Sequence, residues 1–361
     1  MLRRPRLCVI LCAALLGLLP GRAGAEIHIG LAAPLSGRLA AQGLAMQEAL
    51  AAAVRGVNAA GGVLGEPLVL DVEDDGCARA TAEGAARALV ARAPLLVIGH
   101  PCSSAATAAA SVYAAARVLF IAVGPRHPDV TQASATAPIL RLAGRDDRQG
   151  DAAARWLVAH APRRRVAIVH DRTAYARVIA DRVAAVLKDA SVELATVFPI
   201  VAGKQSYADT IARVGEMHAD ALFFAGYPDE AAVMLAGLAA AGLSLPVLGS
   251  DALATEEFAL VAAKSKLNVQ VLLPAEPLPV LYGADVFGAR ARGAFEVWLQ
   301  GVTTTGSTNG EAIAKKARDP MLDIDTPSLG RLRFDPAGDL AADAFVTSSA
   351  RAGAWFVDRR P

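Results

Sequence analysis

Short runs of Val, Ile and Leu alternate with longer alanine-rich stretches along most of the chain, and the alternation begins at Ile27. Residues 27–32 form an apolar run bounded by Pro34 and Gly37, and a helical stretch follows over 40–57. Asn58, Gly61 and Gly62 stop that helix, since glycine takes the left-handed C-cap conformation without steric cost. The pattern predicts strands at 68–72, 95–99 and 119–123 and helices at 78–92 and 103–115, with Ser103 or Ser104 as the N-cap of the second. It then restarts. Helices at 148–161, 175–189, 207–217 and 228–241 alternate with strands at 166–170, 192–200, 221–225 and 246–250. Continuous apolar strands alternating with helices are buried on both faces, as in βαβ units and a parallel sheet. Two blocks of similar rhythm predict two α/β lobes with a cleft. In open α/β sheets ligands bind beyond the carboxyl ends of the strands. The loops after Ala32, Gly99, Val123, His170, Ala225 and Ser250 are therefore the place to look for a site.

Residues 1–25 break the pattern and change two counts. Arg3, Arg4 and Arg6 precede an apolar run from Leu7 to Leu19, and the segment ends in Ala23-Gly24-Ala25. That is the layout of a cleavable secretory signal, with the cut expected after Ala25. The run is shorter than the ~20 residues needed to span a bilayer, so a periplasmic product is expected rather than an anchored one. The segment holds four Arg and no acid, so the formal charge of +1 becomes −3 without it, which leaves no electrostatic footprint for nucleic acid or an anionic membrane surface. Four cysteines become two, Cys77 and Cys102. In an oxidising compartment they are candidates for one disulfide, with two unpaired buried thiols as the alternative. A remainder of about 336 residues exceeds one compact core and suits two domains.

Catalysis needs a constellation, and the sequence has none of the familiar ones. The six histidines show no HExxH or similar metal spacing, and there is no G-x-S-x-G elbow and no Walker A lysine. Residues 58–65 are glycine-rich but follow a helix and precede a strand, the wrong context for a phosphate loop. Asp74-Asp75 at a strand end reads as a solvated turn rather than a catalytic pair. No cofactor is implied. The strand-end loops instead carry hydrogen-bonding and aromatic groups. Ser103-Ser104 open a helix whose N–H groups and dipole attract a carboxylate. Tyr175 and Tyr227 follow strands of the second block, and Asp251 closes another, able either to cap a helix or to pair with a ligand ammonium.

Several segments carry a resemblance, in order along nearly all of the chain beyond residue 25. They are Ile27-His28-Ile29-Gly30 through Pro34-Leu35-Ser36-Gly37, Asn58-Ala59-Ala60-Gly61-Gly62, Asp74-Asp75-Gly76-Cys77, Gly99-His100-Pro101-Cys102-Ser103-Ser104, Val169-His170-Asp171, Gly226-Tyr227 and Ala240-Ala241-Gly242-Leu243. The chain resembles the leucine/isoleucine/valine-binding proteins of branched-chain amino acid ABC importers. The resemblance implies a type I periplasmic binding protein fold: two doubly wound parallel-sheet lobes joined by a three-crossover hinge, closing over a ligand. The expected division is 26–144 plus 275–330 for one lobe and 145–274 plus 331–361 for the other, with crossovers near Gly144, Pro274 and Gly330. The segment between Leu273 and Gly310 is shorter than in the family, which suggests a trimmed peripheral helix.

The same resemblance implies a Cys77–Cys102 disulfide and a set of ligand contacts. Ser103 would hold a carboxylate, Gly124 would offer a carbonyl to an ammonium, and Tyr175 and Tyr227 would close the site. Asp251 would pair with the ammonium, while Pro101 and Gln42 would touch the ligand side chain. One position departs: Arg126 stands where the family has a threonine that contacts both ends of the amino acid. A guanidinium has only donors and a fixed charge, so it repels an ammonium and suits a carboxylate. Either Arg126 pairs with a nearby acid such as Asp129 or Asp251 and leaves an ordinary amino-acid site, or it grips an acidic ligand. The expected function is that of a non-enzymatic, monomeric solute-binding protein serving an inner-membrane ABC permease. A binding protein for an organic or aromatic acid, or a sensing partner of a receptor, is the alternative.

Overall fold

The computed structural model describes residues 26–132, 136–190, 192, 194–274, 284–341 and 345–358. The expected signal at 1–25 lies outside the described residues, as do 275–283 of the shortened segment. The first block runs β1 (Ile27–Ala33), α1 (Ala40–Ala59), β2 (Leu68–Asp74), α2 (Arg79–Val90), β3 (Leu96–Gly99), α3 (Ser103–Ala116), β4 (Leu119–Ala122), α4 (Asp129–Gln132) and β5 (Ile139–Arg141). The second runs α5 (Asp146–His160), β6 (Arg165–His170), α6 (Ala174–Asp189), β7 (Leu194–Pro199), α7 (Ala208–Glu216), β8 (Ala221–Ala225), α8 (Pro228–Ala240), β9 (Val247–Gly249), α9 (Glu256–Lys264) and β10 (Val269–Pro274). The chain then returns through α10 (Ala284–Thr305), α11 (Gly310–Ala317), β11 (Ile324–Thr326) and β12 (Gly330–Leu332), and ends in β13 (Phe345–Arg351) and β14 (Ala354–Val357).

Two sheets result. The first has the order β2-β1-β3-β4-β5 and is parallel throughout. The second has the order β14-β13-β10-β9-β8-β6-β7, parallel from β7 to β10 and antiparallel where the C-terminal hairpin joins its edge. The central strands β3, β4 and β8 are apolar along their length because each sheet is covered on both faces there. In the first sheet Ile29, Leu31, Leu96, Ile98, Leu119 and Ile121 face α1, α10 and α11, where Met46, Leu50, Phe295, Trp298 and Ile313 complete the layer. Val97, Phe120 and Ala122 alternate to the other side and meet Leu89, Ala106, Ala109 and Tyr113 of α2 and α3. In the second sheet Val169, Leu222 and Phe224 face α7, α8 and α9, whereas Ile168, Phe223 and Leu248 face α5 and α6. Phe223 and Phe224 illustrate the period of two: they are neighbours in sequence, both essentially inaccessible, and in different cores. Burying each stabilises the fold by about 1.5–3 kcal/mol.

Three passages connect the halves. The first, at 142–145, leaves β5 for α5. The second follows β10. The third lies beyond Gly330, which opens the hairpin strand β12, paired with β11 and packed through Leu332 on the first core. Phe334 still belongs to that core, so the chain leaves it only between Phe334 and Phe345. This last passage is tied to the first by charge: the buried Asp339 carboxylate accepts from Arg141 Nε at 2.8 Å, from Thr131 Oγ1 at 2.8 Å and from Arg145 Nη1 at 3.1 Å. Arg148 adds bonds to Leu340 O at 2.9 Å and Asp335 Oδ2 at 2.7 Å.

Candidate functional site

The strand orders fix where a site can form. In the first sheet the order reverses between β1 and β3, and in the second between β6 and β8, so the carboxyl ends of those strands open crevices. At the first crevice Gly99 has φ +151°, and a Cβ there would lie 2.0 Å from Ala32 O. Only glycine lets the end of β3 approach β1 so closely. The next residues are held from beneath. Cys102 is disulfide-bonded to Cys77, with Cα atoms 5.5 Å apart. His100 lies fully buried between Asp75 Oδ2, 2.9 Å from Nδ1, and the Tyr113 hydroxyl, 3.0 Å from Nε2. Burial and the Asp75 charge push the Tyr113 hydroxyl above its ordinary range, so it stays protonated. Asp74-Asp75 is thus only half a solvated turn. Asp74 accepts from Leu35 N and Ser36 Oγ, the latter bond holding its carboxyl below the usual value, whereas Asp75 is fully buried.

This platform presents the start of α3. Its N-cap is Cys102, not Ser103 or Ser104, and provides no side-chain hydrogen bond. The disulfide fixes Cys102 in the extended conformation an N-cap needs, so Ser103 becomes the first helical residue. Its Oγ then accepts from the Arg126 backbone N at 3.3 Å. Gly124 and Pro101 also meet, since a Cβ on Gly124 would stand 2.5 Å from Pro101 Cα. Gln42 sits half-buried in the first turn of α1, apart from the ionic cluster described next.

At the second crevice Tyr175 lies in the first turn of α6, behind the Thr173 cap, and Tyr227 is the N-cap of α8. Their rings are 5.9 Å apart, with Tyr227 the more exposed. Asp251, following β9, is the hub. Its Oδ1 accepts from the Tyr175 hydroxyl at 2.6 Å and from Gln149 Nε2 at 2.7 Å, and its N–H donates to Gln149 Oε1 at 2.9 Å. Burial, then the Asp251 charge, holds the Tyr175 phenol well above its ordinary range.

Arg126 joins the two crevices. From the loop after β4 its Nη1 reaches Asp251 Oδ2. Its Nε donates to Gly144 O at 3.3 Å, and its guanidinium lies 5.3 Å over the Phe345 ring. Of the two acids expected as its partner the structure selects Asp251; Asp129 instead faces His127 Nδ1 at 3.6 Å. Ser103, Pro101, Gly124 and Arg126 are thus gathered on one side and Tyr175, Tyr227 and Asp251 on the other. Three participants escape sequence reasoning: Gln149, Phe345 and Asp146. Asp146 Oδ1 is 3.9 Å from Arg126 Nε, and burial pushes its carboxyl up to about 7. A signal for two of them exists. Positions 146, 149, 153 and 157 share one helix face, apolar at Ala153 and Leu157 and polar only in the first turn.

Comparison with known proteins bears on the family and the fold. A family model described as periplasmic binding protein matches residues 26–280. The Leu/Ile/Val-binding protein BraC3 of Rhizobium johnstonii is 29% identical over 350 residues, covering 92% of this chain and 93% of its own. The solved structure of a putative branched-chain amino acid ABC transporter protein from Rhodospirillum rubrum superposes with a TM-score of 0.72 at 23% identity, over 92% of this chain and 100% of that one. An ABC transporter substrate-binding protein from Desulfitobacterium hafniense, solved in complex with Leu, gives a TM-score of 0.70 at 20% identity, over 92% and 100% of the two chains. These likenesses show the same overall fold, and with the family model spanning more than half of its residues the chain belongs to the periplasmic binding protein family.

Proposed function

We propose that the protein captures a small carboxylate-bearing solute, an amino acid or a close relative, between its two lobes and delivers it to an inner-membrane ABC permease. The observation that carries this reading is the meeting of Ser103 and Arg126 from the first sheet with Tyr175, Tyr227 and Asp251 from the second, both at strand-order reversals. One lobe comprises 26–144 with the returning segment from α10 to Phe334, which packs on the first core, and the other 145–274 with the C-terminal hairpin. Ser103 and the N–H groups at the start of α3 meet the carboxylate. Gly124, Pro101 and Gln42 line the first lobe's side, and Tyr227 folds over the ligand from the second. The protein works as a monomer in the periplasm once 1–25 is removed. Among the described residues no helix is long and apolar enough to cross a membrane. Relatives named for Leu, Ile and Val binding support the ligand class. Hinge closure predicts compaction: small-angle scattering should give a smaller radius of gyration with a ligand that raises the melting temperature. An unchanged radius at saturation would contradict the trap.

A further inference from the structure

We propose that Arg126 is a built-in counter-ion for Asp251 and selects a ligand that has a carboxylate but no α-ammonium, of the 2-oxo or 2-hydroxy acid class. The inference rests on the junction being the solute site. An ammonium leaving water needs an anionic acceptor. Asp251 is already engaged at both oxygens: Tyr175 and Gln149 hold Oδ1, and Arg126 holds Oδ2. An ammonium brought to Asp251 Oδ2 would stand against the guanidinium, a like charge that Gly144 O and the Phe345 ring keep in place, and would share one negative charge with it.

The other acids at these strand ends do not supply a substitute. Asp171 is buried, its Oδ1 holding Thr173 through N–H and Oγ1 and its Oδ2 set against Gly226, while Asp74 is occupied by Leu35 and Ser36 and Asp75 is buried against His100. Asp146 stands at 3.9 Å from Arg126, and burial keeps its carboxyl from ionising fully at neutral pH. A carboxylate finds its donors on the first-sheet side instead. Arg126 is permanently cationic, and the Ser103–Arg126 bond sets it beside a helix start whose cap offers no side-chain acceptor. A keto or hydroxyl oxygen at C2 asks for no acid at all.

Matched pairs test this: leucine with 4-methyl-2-oxopentanoate, phenylalanine with phenylpyruvate and glutamate with 2-oxoglutarate, titrated calorimetrically into ligand-stripped protein. The oxo acid of the preferred pair should bind at least tenfold more tightly than its amino acid, and Arg126→Thr should reverse that order. The comparison on the unsubstituted protein needs no variant to fold. Equal or tighter binding of the amino acid overturns the inference while leaving solute capture intact. Binding of neither member of any pair overturns both. A variant that keeps the oxo-acid preference removes Arg126 as its cause.

Discussion

Asp146 shows how one buried carboxyl couples the junction to pH. Its folded-state value near 7, against about 4 in an unfolded chain, means the folded protein holds a proton that the unfolded one releases between those limits. Its contribution to stability is therefore fully present below pH 4, is lost as pH rises toward 7, and levels off above. Asp146→Asn should raise the melting temperature at pH 8 and change it little at pH 4, by about 2–4 °C for each kcal/mol recovered. A difference independent of pH would mean that the carboxyl titrates normally. At this scale the sequence is legible where chemistry follows a strand directly, as with Ser103, Tyr175, Tyr227 and Asp251. It is not legible for Asp75, whose burial depends on His100 arriving from β3, or for Gln149, whose partner is 102 residues away.

Among elements, the passages between lobes depend on one carboxylate. Asp339 serves Arg141, which is completely buried, and also Arg145 and Thr131. Removing it takes the Asp339 carboxylate from the buried Arg141 guanidinium, and breaking such a pair costs about 3–5 kcal/mol. Asp339→Ala should show that loss in urea unfolding; a midpoint within error of the parent would mean that the network is incidental. The disulfide acts at the same scale. It closes a loop over a separation of 25 residues and is worth about 3 kcal/mol while anchoring α3. Up to residue 250 the long alternating elements are read from sequence to within a few residues, because an apolar strand and an alanine-rich helix each have a period; α9, β10 and the 22-residue α10 are not read from it. The three-residue β5 has too few positions to show one. The hairpin β13–β14 mixes Thr, Ser and Arg with apolar residues because it lies half-exposed at a sheet edge.

For the whole molecule, the decisive feature is that the first core is assembled from both ends of the chain. Ile29, Leu31 and Ile121 pack with Phe295, Trp298, Ile313 and Phe334, and five strands of the second sheet, β6 to β10, are encoded between them. The contacts that complete this core span most of the sequence, so loop closure must precede their reward and folding is slow. A fragment ending at residue 283 should keep the strands of the first sheet and α1 yet fail to hold them, exposing the part of that face which α10 and α11 cover on β3 and β4. Protease resistance and sharp thermal unfolding of that fragment would contradict this. The timing consequence concerns the nascent chain. Until α10 emerges, only α1 covers that side of the first sheet, and the layer stays incomplete. The order of the chain thus sets a delay: the half made first is the half completed last.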